Sequence, residues 1–468
     1  MLKSLRIQNF KGWEDTGEIK LAPLTILFGS NSSGKSSIGQ FLMLLKQSIE
    51  MSDRKTTLFL GSENTPVDFG SPLNMINNHD LTKSLKFEYS WSVEKPLNFS
   101  DALHKMSYSC NFINFKSEIK IKDSMRQALE VPYFEYRLNS TPEITVGLSK
   151  EDEKNASSRE YKLQYLNYDF TRQTGRPWGI TQPMRFYGFP EEAVAYYQNA
   201  SFLLDINLWH EKQFSKISYL GPLRSKAKRI YAWSGQSPAS VNYAGEDTVS
   251  AILAATSAER KINLGYRQVR KDFKVIIAKM LQLMGLVSEI KVDRIAQDRQ
   301  EYDIKVRLTR SDQWMDILDV GFGISQVLPV IVQLFYAEPG STIIMEQPEL
   351  HLHPSAQAGL ADVMIAAIHA RENEENRNIQ LIIETHSEHF LRRLQRRIAE
   401  GVIGQKEVSA YFVQNQCCPA ILEPLQIDLF GEISNWPEGF FGDITEDIYQ
   451  QANAAIRRRI AERDNKNG

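Results

Sequence analysis

The stretch GSNSSGKS, from Gly29 to Ser36, restricts what this chain can fold into more than any other. It fits the pattern G-x-x-x-x-G-K-S/T. It follows the strand-like LTILFG and precedes SSIGQFLMLLKQSIE, whose apolar residues recur at helical spacing. A strand, a small-residue loop and a helix in that order make a phosphate cradle. The glycines let backbone N–H groups turn inward onto phosphate oxygens, and the helix N-terminus adds a positive dipole end. Lys35 supplies a point charge for β- and γ-phosphates, and Ser36 offers a hydroxyl to Mg²⁺. The candidate nucleotide-binding residues are Gly29, Asn31, Ser32, Ser33, Gly34, Lys35, Ser36 and Ser37, with Lys11 counted beside them.

Three later stretches carry chemistry. STIIMEQPELHLHP (Ser341 to Pro354) is an apolar strand ending in carboxylates, where a nucleotide site places a Mg²⁺ ligand and a water activator. Glu346 is the first candidate, for metal and catalysis, and Glu349 the second. His351 and His353 stand two apart without a third ligand, which does not make a metal site. IQLIIETHSEHFL (Ile379 to Leu391) delivers Glu384, Thr385 and His386 to the end of another apolar strand, the edge where open α/β sheets bind ligands. His386 there could bond a γ-phosphate or an attacking water. LDVGFGISQVLPVIVQL (Leu318 to Leu334) sets two glycines and a serine before a helix, a further anion site in type.

Strand and helix alternate through the last third, which predicts an α/β fold with a mostly parallel sheet. Residues 85–185 alternate and are rich in Tyr and Phe, as antiparallel strands are. The expected divisions are 1–84, an N-terminal lobe with the phosphate loop; 85–215, a β-rich insertion; 216–310, a helical and strand segment; and 311–468, a C-terminal lobe. The formal net charge of −2 gives no global pull toward a polyanion. Arg392, Arg393, Arg396 and Arg397 read as a solvated helix face, as do Arg457, Arg458 and Arg459. RSKAKR (Arg224 to Arg229) is the better candidate for DNA or partner contact. Cys110, Cys417 and Cys418 have neither metal nor disulfide spacing, which fits a reducing cytosol. The N-terminus has no signal-peptide core and no run reaches about 18 apolar residues, so a cytoplasmic location away from membranes is expected.

The order of these motifs resembles the ABC-type ATPase head. LRIQNFKGWEDTGEIKLAPLTILFGSNSSGKSS is similar to the SMC, RecF and OLD branch of that class. IIMEQPELHLHP and IIETHSEHFLRRLQRRI look closest to stand-alone OLD-like ATPases, which include ATPase subunits of Septu-type anti-phage systems; YLGPLRSKAKRIY and WPEGFFGD also look like segments of them. The resemblance implies ATP and Mg²⁺ as ligands. It implies a head-to-tail dimer or higher oligomer, with Gly321, Gly323 and Ser325 as a signature facing the partner's γ-phosphate. His386 is then the switch histidine, and Asn31 faces the γ-phosphate. A separate effector, possibly a nuclease, is implied, because the roughly 80 residues after His386 are too few for the Toprim nuclease of OLD proteins. Two departures stand out. The class usually has Asp-Glu or Glu-Glu where this chain has Glu346-Gln347, and an amide cannot accept a proton. Slow turnover follows, with Glu349 as base or Gln347 orienting water; little or no hydrolysis, in an ATP-gated scaffold, is the alternative. No Gln-loop is recognisable, although Val67 to Asp80 is its expected neighbourhood.

Overall fold

The computed structural model describes residues 1–123, 128–150, 161–175, 179–308, 311–414, 419–437, 449–456 and 458. The chain opens with β1 (Leu2–Phe10), β2 (Trp13–Asp15), β3 (Ile19–Lys20), β4 (Leu24–Gly29) and α1 (Lys35–Glu50). Long strands follow: β5 (Leu85–Asp101), β6 (Met106–Asp123), β7 (Ala128–Leu138), β8 (Ile144–Lys150) and β9 (Tyr161–Leu166). Then come α2 (Glu191–Ala195), α3 (Phe202–Ser215), β10 (Ile217–Leu220), β11 (Tyr231–Ala232), α4 (Thr248–Ser257), β12 (Lys261–Ile262), β13 (Lys271–Asp272) and α5 (Phe273–Leu283). β14 (Glu289–Arg294), β15 (Glu301–Arg307) and β16 (Trp314–Asp316) precede α6 (Phe322–Tyr336). The last part holds β17 (Thr342–Glu346), α7 (Pro354–His369), β18 (Arg371–Glu372), β19 (Glu375–Asn376), β20 (Gln380–Glu384), α8 (Glu388–Ala399), β21 (Val408–Gln414) and β22 (Ile421–Pro424).

Two sheets organise these elements. A six-stranded sheet runs β10-β17-β20-β4-β21-β22. Its pairs are parallel except β21 with β22. An eight-stranded antiparallel sheet runs β2-β1-β5-β6-β7-β8-β9, with β3 also on β1. The fold is therefore α/β, with a mostly parallel sheet and a large antiparallel one.

Side-chain alternation shows how the layers stack. Along the parallel strands, Leu27, Ile344 and Ile382 enter one core with α1 and the antiparallel sheet. Their neighbours Ile26, Phe28, Ile343, Met345, Leu381 and Ile383 enter a second core with residues of α4 to α8. Strands covered on both faces need apolar side chains on both, which is why Ile26–Phe28 of β4, Ile343–Met345 of β17 and Leu381–Ile383 of β20 are continuous hydrophobic runs. On the first face, Phe41 of α1 meets Phe10 and Phe87 edge-to-face at 5.3 and 5.1 Å.

β1 pairs with β5. The long strands of residues 85–166 therefore continue the sheet that the N-terminal strands begin. In the helical and strand segment, the β12–β13 hairpin separates α4 from α5. Residues 151–160, Cys417, Cys418, most of WPEGFFGD, Arg457 and Arg459 lie outside the described residues. Among those described, no helix is long and apolar enough to cross a membrane.

Gln380 joins the two sheets. It is fully buried at the start of β20. Its Nε2 donates to the carbonyls of Leu2 and Ala22 at 2.8 and 3.1 Å. Its Oε1 accepts from Leu2 N–H at 3.1 Å and from Thr342 Oγ1 at 3.0 Å. Deleting this amide strands buried polar groups on β1, β17 and the turn before β4, each costing about 1–3 kcal/mol. Gln380→Ala is expected to lower unfolding stability by roughly 3 kcal/mol or more. Chemical denaturation measures this, and an unchanged midpoint would contradict the joint.

Candidate nucleotide site

β4 ends the phosphate strand at the centre of the parallel sheet, flanked by β20 and β21. Gly29 is required there, because a Cβ would lie 2.4 Å from the Val413 carbonyl oxygen and its φ is 146°. Gly34, at φ 102°, caps α1 from the left-handed region. Behind the loop, Trp13 Nε1 donates to Ser37 Oγ at 2.9 Å and to the Gly34 carbonyl at 3.2 Å. Ser33 is buried, whereas Asn31 and Ser32 are exposed at the loop tip and Ser36 is half-buried.

Lys35 is 3 % exposed. Its Nζ donates to the carbonyls of Gly29 and Ser30 at 3.1 and 2.6 Å and reaches Ser33 Oγ at 3.4 Å. Burial depresses its pKa, while Glu384, Glu346 and Glu349 push it back up. Lys11 stands nearby with its Nζ on Gln40 Oε1 at 2.5 Å and 4.7 Å from the Phe69 ring centre. Burial lowers its pKa too, opposed by Glu346.

Glu346 and Glu384 end the adjacent parallel strands β17 and β20 in register. Burial, then the charge of Glu384, pushes the Glu346 carboxyl up to about 7, against the opposing pull of Tyr219, Lys11 and Lys35. Tyr219 Oη donates to Glu346 Oε1 at 2.9 Å. Gln347 follows at φ 43°, its N–H bonded to the Glu384 carbonyl at 2.8 Å. Glu349 Oε1 accepts from the His386 N–H at 2.8 Å, which ties the turn after β17 to the turn after β20. Its Oε2 has no partner, and burial raises its pKa. His386 is half-buried with Nε2 unpartnered, and burial and Lys35 both hold it neutral.

The structure thus brings Lys35, Glu346, Glu349 and His386 to one sheet edge. A carboxylate and a serine hydroxyl beside a phosphate cradle are the oxygen donors Mg²⁺ takes, since it keeps waters and phosphate oxygens as further ligands. Ser36 and Glu346 fit that ion. His351 and His353 are engaged elsewhere: His351 meets Phe322 edge-on at 4.9 Å, and His353 caps α7 by accepting from Ser355 N–H.

Gly321, Gly323 and Ser325 lie apart from this cluster in sequence, at the start of α6. Gly321 and Phe322 are exposed, and Ser325 Oγ donates to the Phe322 carbonyl at 2.8 Å. A Cβ on Gly323 would lie 2.8 Å from the His351 carbonyl oxygen, so the helix start presses against the turn following Glu349.

A profile described as the AAA ATPase domain matches residues 1–391. The chain belongs to that AAA ATPase family. Residues 403–451 match a profile described only as a protein of unknown function. No curated protein matches the chain. Among solved structures, an SMC head bound to the C-terminal winged-helix domain of ScpA is 11 % identical, covering 91 % of this chain and 98 % of that one at a TM-score of 0.43. The SMC head domain from Thermotoga maritima is 12 % identical, covering 91 % and 99 % at 0.36. An SMC head from Pyrococcus furiosus with an extended coiled coil, bound to the C-terminal domain of ScpA, is 10 % identical, covering 91 % and 96 % at 0.39. These are distant likenesses.

Three side chains of this AAA ATPase domain at the site, Glu384, Tyr219 and Arg224, have no role in the sequence motifs. Glu384 was visible as a strand-end carboxylate but had no role. Tyr219 and Arg224 belong to YLGPLRSKAKRIY, where net basicity drew attention to the surface. Arg224 is instead buried, with Nη2 on the carbonyls of Glu346 and Gln347 at 3.4 and 3.3 Å. Burial lowers its pKa to about 10, against Glu349. In the same stretch Lys226 and Lys228 are exposed, and Arg229 pairs with Asp319 at 3.0 Å. On α8, Arg393 and Arg397 pair with Asp362 of α7, Arg396 with Glu400 and Arg392 with Glu388.

The Glu346 shift has a definite sign. Its ordinary value is 4.5 and its folded value about 7. Between these the folded protein keeps a proton that the unfolded chain releases, so rising pH favours unfolding across that window and no further above it. Glu346→Gln cannot ionise. Without nucleotide, its Tm relative to wild type is expected to climb from pH 5 to pH 8. A flat difference in scanning calorimetry would refute the shift.

Proposed function

We propose that this AAA ATPase domain binds ATP·Mg²⁺ at the β4–α1 loop as an ABC-type head of the SMC, RecF and OLD branch. It hydrolyses ATP slowly, and two copies close head to tail around nucleotide to control a separate effector. The convergence of Lys35, Glu346 and His386 at the C-terminal edge of one parallel sheet carries this reading. Ligands of such sheets bind at that edge.

The roles divide by chemistry. Backbone N–H groups of the loop and Lys35 hold the β- and γ-phosphates, and Lys11 adds positive charge beside them. Ser36 and Glu346 hold Mg²⁺, which when bound neutralises charge developing on the transferred phosphoryl group. His386, kept neutral, offers Nε2 to the γ-phosphate or to water. Gly321, Gly323 and Ser325 meet the phosphates of the second copy; exposed Gly321 and Phe322 at the start of α6 support that contact.

The effector is a nuclease-type partner and the setting cytoplasmic anti-phage defence, supported by the OLD-like sequence resemblance. DNA contact, if the assembly makes it, falls to exposed Lys226 and Lys228. Lys35→Ala tests the core of the reading. Wild type should gain mass in solution on adding ATP·Mg²⁺, to a dimer or larger. The variant should lose ATP affinity at least about tenfold, near 1.4 kcal/mol, and fail to assemble. Unchanged affinity by calorimetry, or a wild type monomeric with and without ATP, contradicts it.

Gln347 favours a second reading, an ATP-gated scaffold with little or no hydrolysis. In the hydrolytic reading Glu349 takes the proton of the attacking water through its free Oε2, and losing a general base costs about 10²–10⁴ in rate. Glu349→Gln should then bind ATP without turnover, and Gln347→Glu should turn over faster than wild type. In the scaffold reading wild type and Glu349→Gln are equally inert. Single-turnover assays separate the two, and robust hydrolysis by Glu349→Gln eliminates Glu349 as the base.

A further inference from the structure

We propose that Glu384 is a second carboxylate of the Mg²⁺ site and shares the metal with Glu346. The inference rests on the reading of the β4–α1 loop as an ATP site and assigns a residue which that reading leaves without a role.

Glu346 and Glu384 are register partners on adjacent parallel strands. Register partners project to the same side of a sheet, on strands about 4.8 Å apart. Because β20 lies between β17 and β4, Glu384 stands between Glu346 and the phosphate loop. Its Oε1 is 4.0 Å from Lys35 Nζ, so the carboxyl head faces the phosphate-binding lysine. Yet Lys35 spends its hydrogens on Gly29, Ser30 and Ser33. Glu384 is only 7 % exposed, and its Oε2 has no hydrogen-bond partner.

A sealed carboxylate oxygen without a donor is costly unless a cation compensates it. The nearest fixed cation is already engaged and would turn toward a phosphate when one arrives. Tyr219 occupies the other side of Glu346, leaving the Glu384 side as the place where both carboxyls can meet one ion. A divalent metal with oxygen preference answers this, and Mg²⁺ is commonly held by one or two carboxylates together with phosphate oxygens. Two buried carboxylates also oppose a bare triphosphate. The site should therefore reject metal-free ATP and accept ATP only with its ion.

Glu384→Gln keeps the shape and removes the charge. Two affinities are measured on the full chain: that of the ATP-loaded protein for Mn²⁺, by electron paramagnetic resonance, and that for ATP in EDTA, by calorimetry. The variant is expected to lose Mn²⁺ affinity about 10- to 100-fold. It should also bind metal-free ATP more tightly than wild type. Glu384→Asp keeps the charge and should retain the poor metal-free binding while recovering part of the Mn²⁺ affinity. Unchanged Mn²⁺ affinity in Glu384→Gln overturns the proposal, leaving Glu346 alone on the metal. A parallel loss of both affinities also overturns it, as the mark of a merely structural residue. A wild type that binds no ATP under any condition defeats the ATP reading itself, an outcome distinct from either of these.

Discussion

The charge on Lys35 is what the rest of the site is arranged around. Its ammonium is almost sealed from water and is retained by backbone carbonyls of the loop it follows. Burying a charge without partners is prohibitive. Glu346, Glu349 and Glu384 all supply compensating field to it. Those carboxylates are buried in turn, so each depends on a tether of its own: Tyr219 for Glu346, the His386 N–H for Glu349, and the Ser36 side chain for Glu384. Lys35 and the three carboxylates are therefore electrostatically interdependent across the turn after β17 and the turn after β20.

Those two turns are joined physically as well as electrostatically. Glu349 crosses from one to the other through the His386 N–H, and Gln347 N–H crosses back to the Glu384 carbonyl. Arg224 braces the first turn from below through two carbonyls. Gly323 allows the start of α6 to approach the His351 carbonyl, just beyond Glu349. A displacement in any of these parts has short paths to the others. The exposed start of α6 thus packs closely against the turn after β17.

The antiparallel sheet is not an appendage to this machinery. It shares its core with α1, the helix that begins at Lys35, and Gln380 bolts its first strand to the start of β20. Phe10, Phe41 and Phe87 then bind β1, α1 and β5 as one aromatic contact. The phosphate loop is framed between two rigid layers, which suits a site whose geometry must survive the binding of a highly charged ligand.

Much of this was legible along the chain because it is local. The small-residue loop between an apolar strand and a helix declared the phosphate cradle, and unbroken apolar runs ending in Glu346 and Glu384 declared strands covered on both faces. Alternating Tyr and Phe declared β5 to β9. Periodicity and turn chemistry act over a few residues, so one sequence is enough to read them. Tertiary structure alone decided which strands became neighbours. β1 pairs with β5 although β2, β3, β4 and α1 lie between them in sequence. β20 settles between β17 and β4, and only that order brings Glu384 to Lys35, though they are remote in sequence. Arg224 read as a surface base until its buried contacts with the turn after β17 were formed. Composition reports how many charges a segment carries; where each one ends depends on contacts between segments that no local pattern encodes.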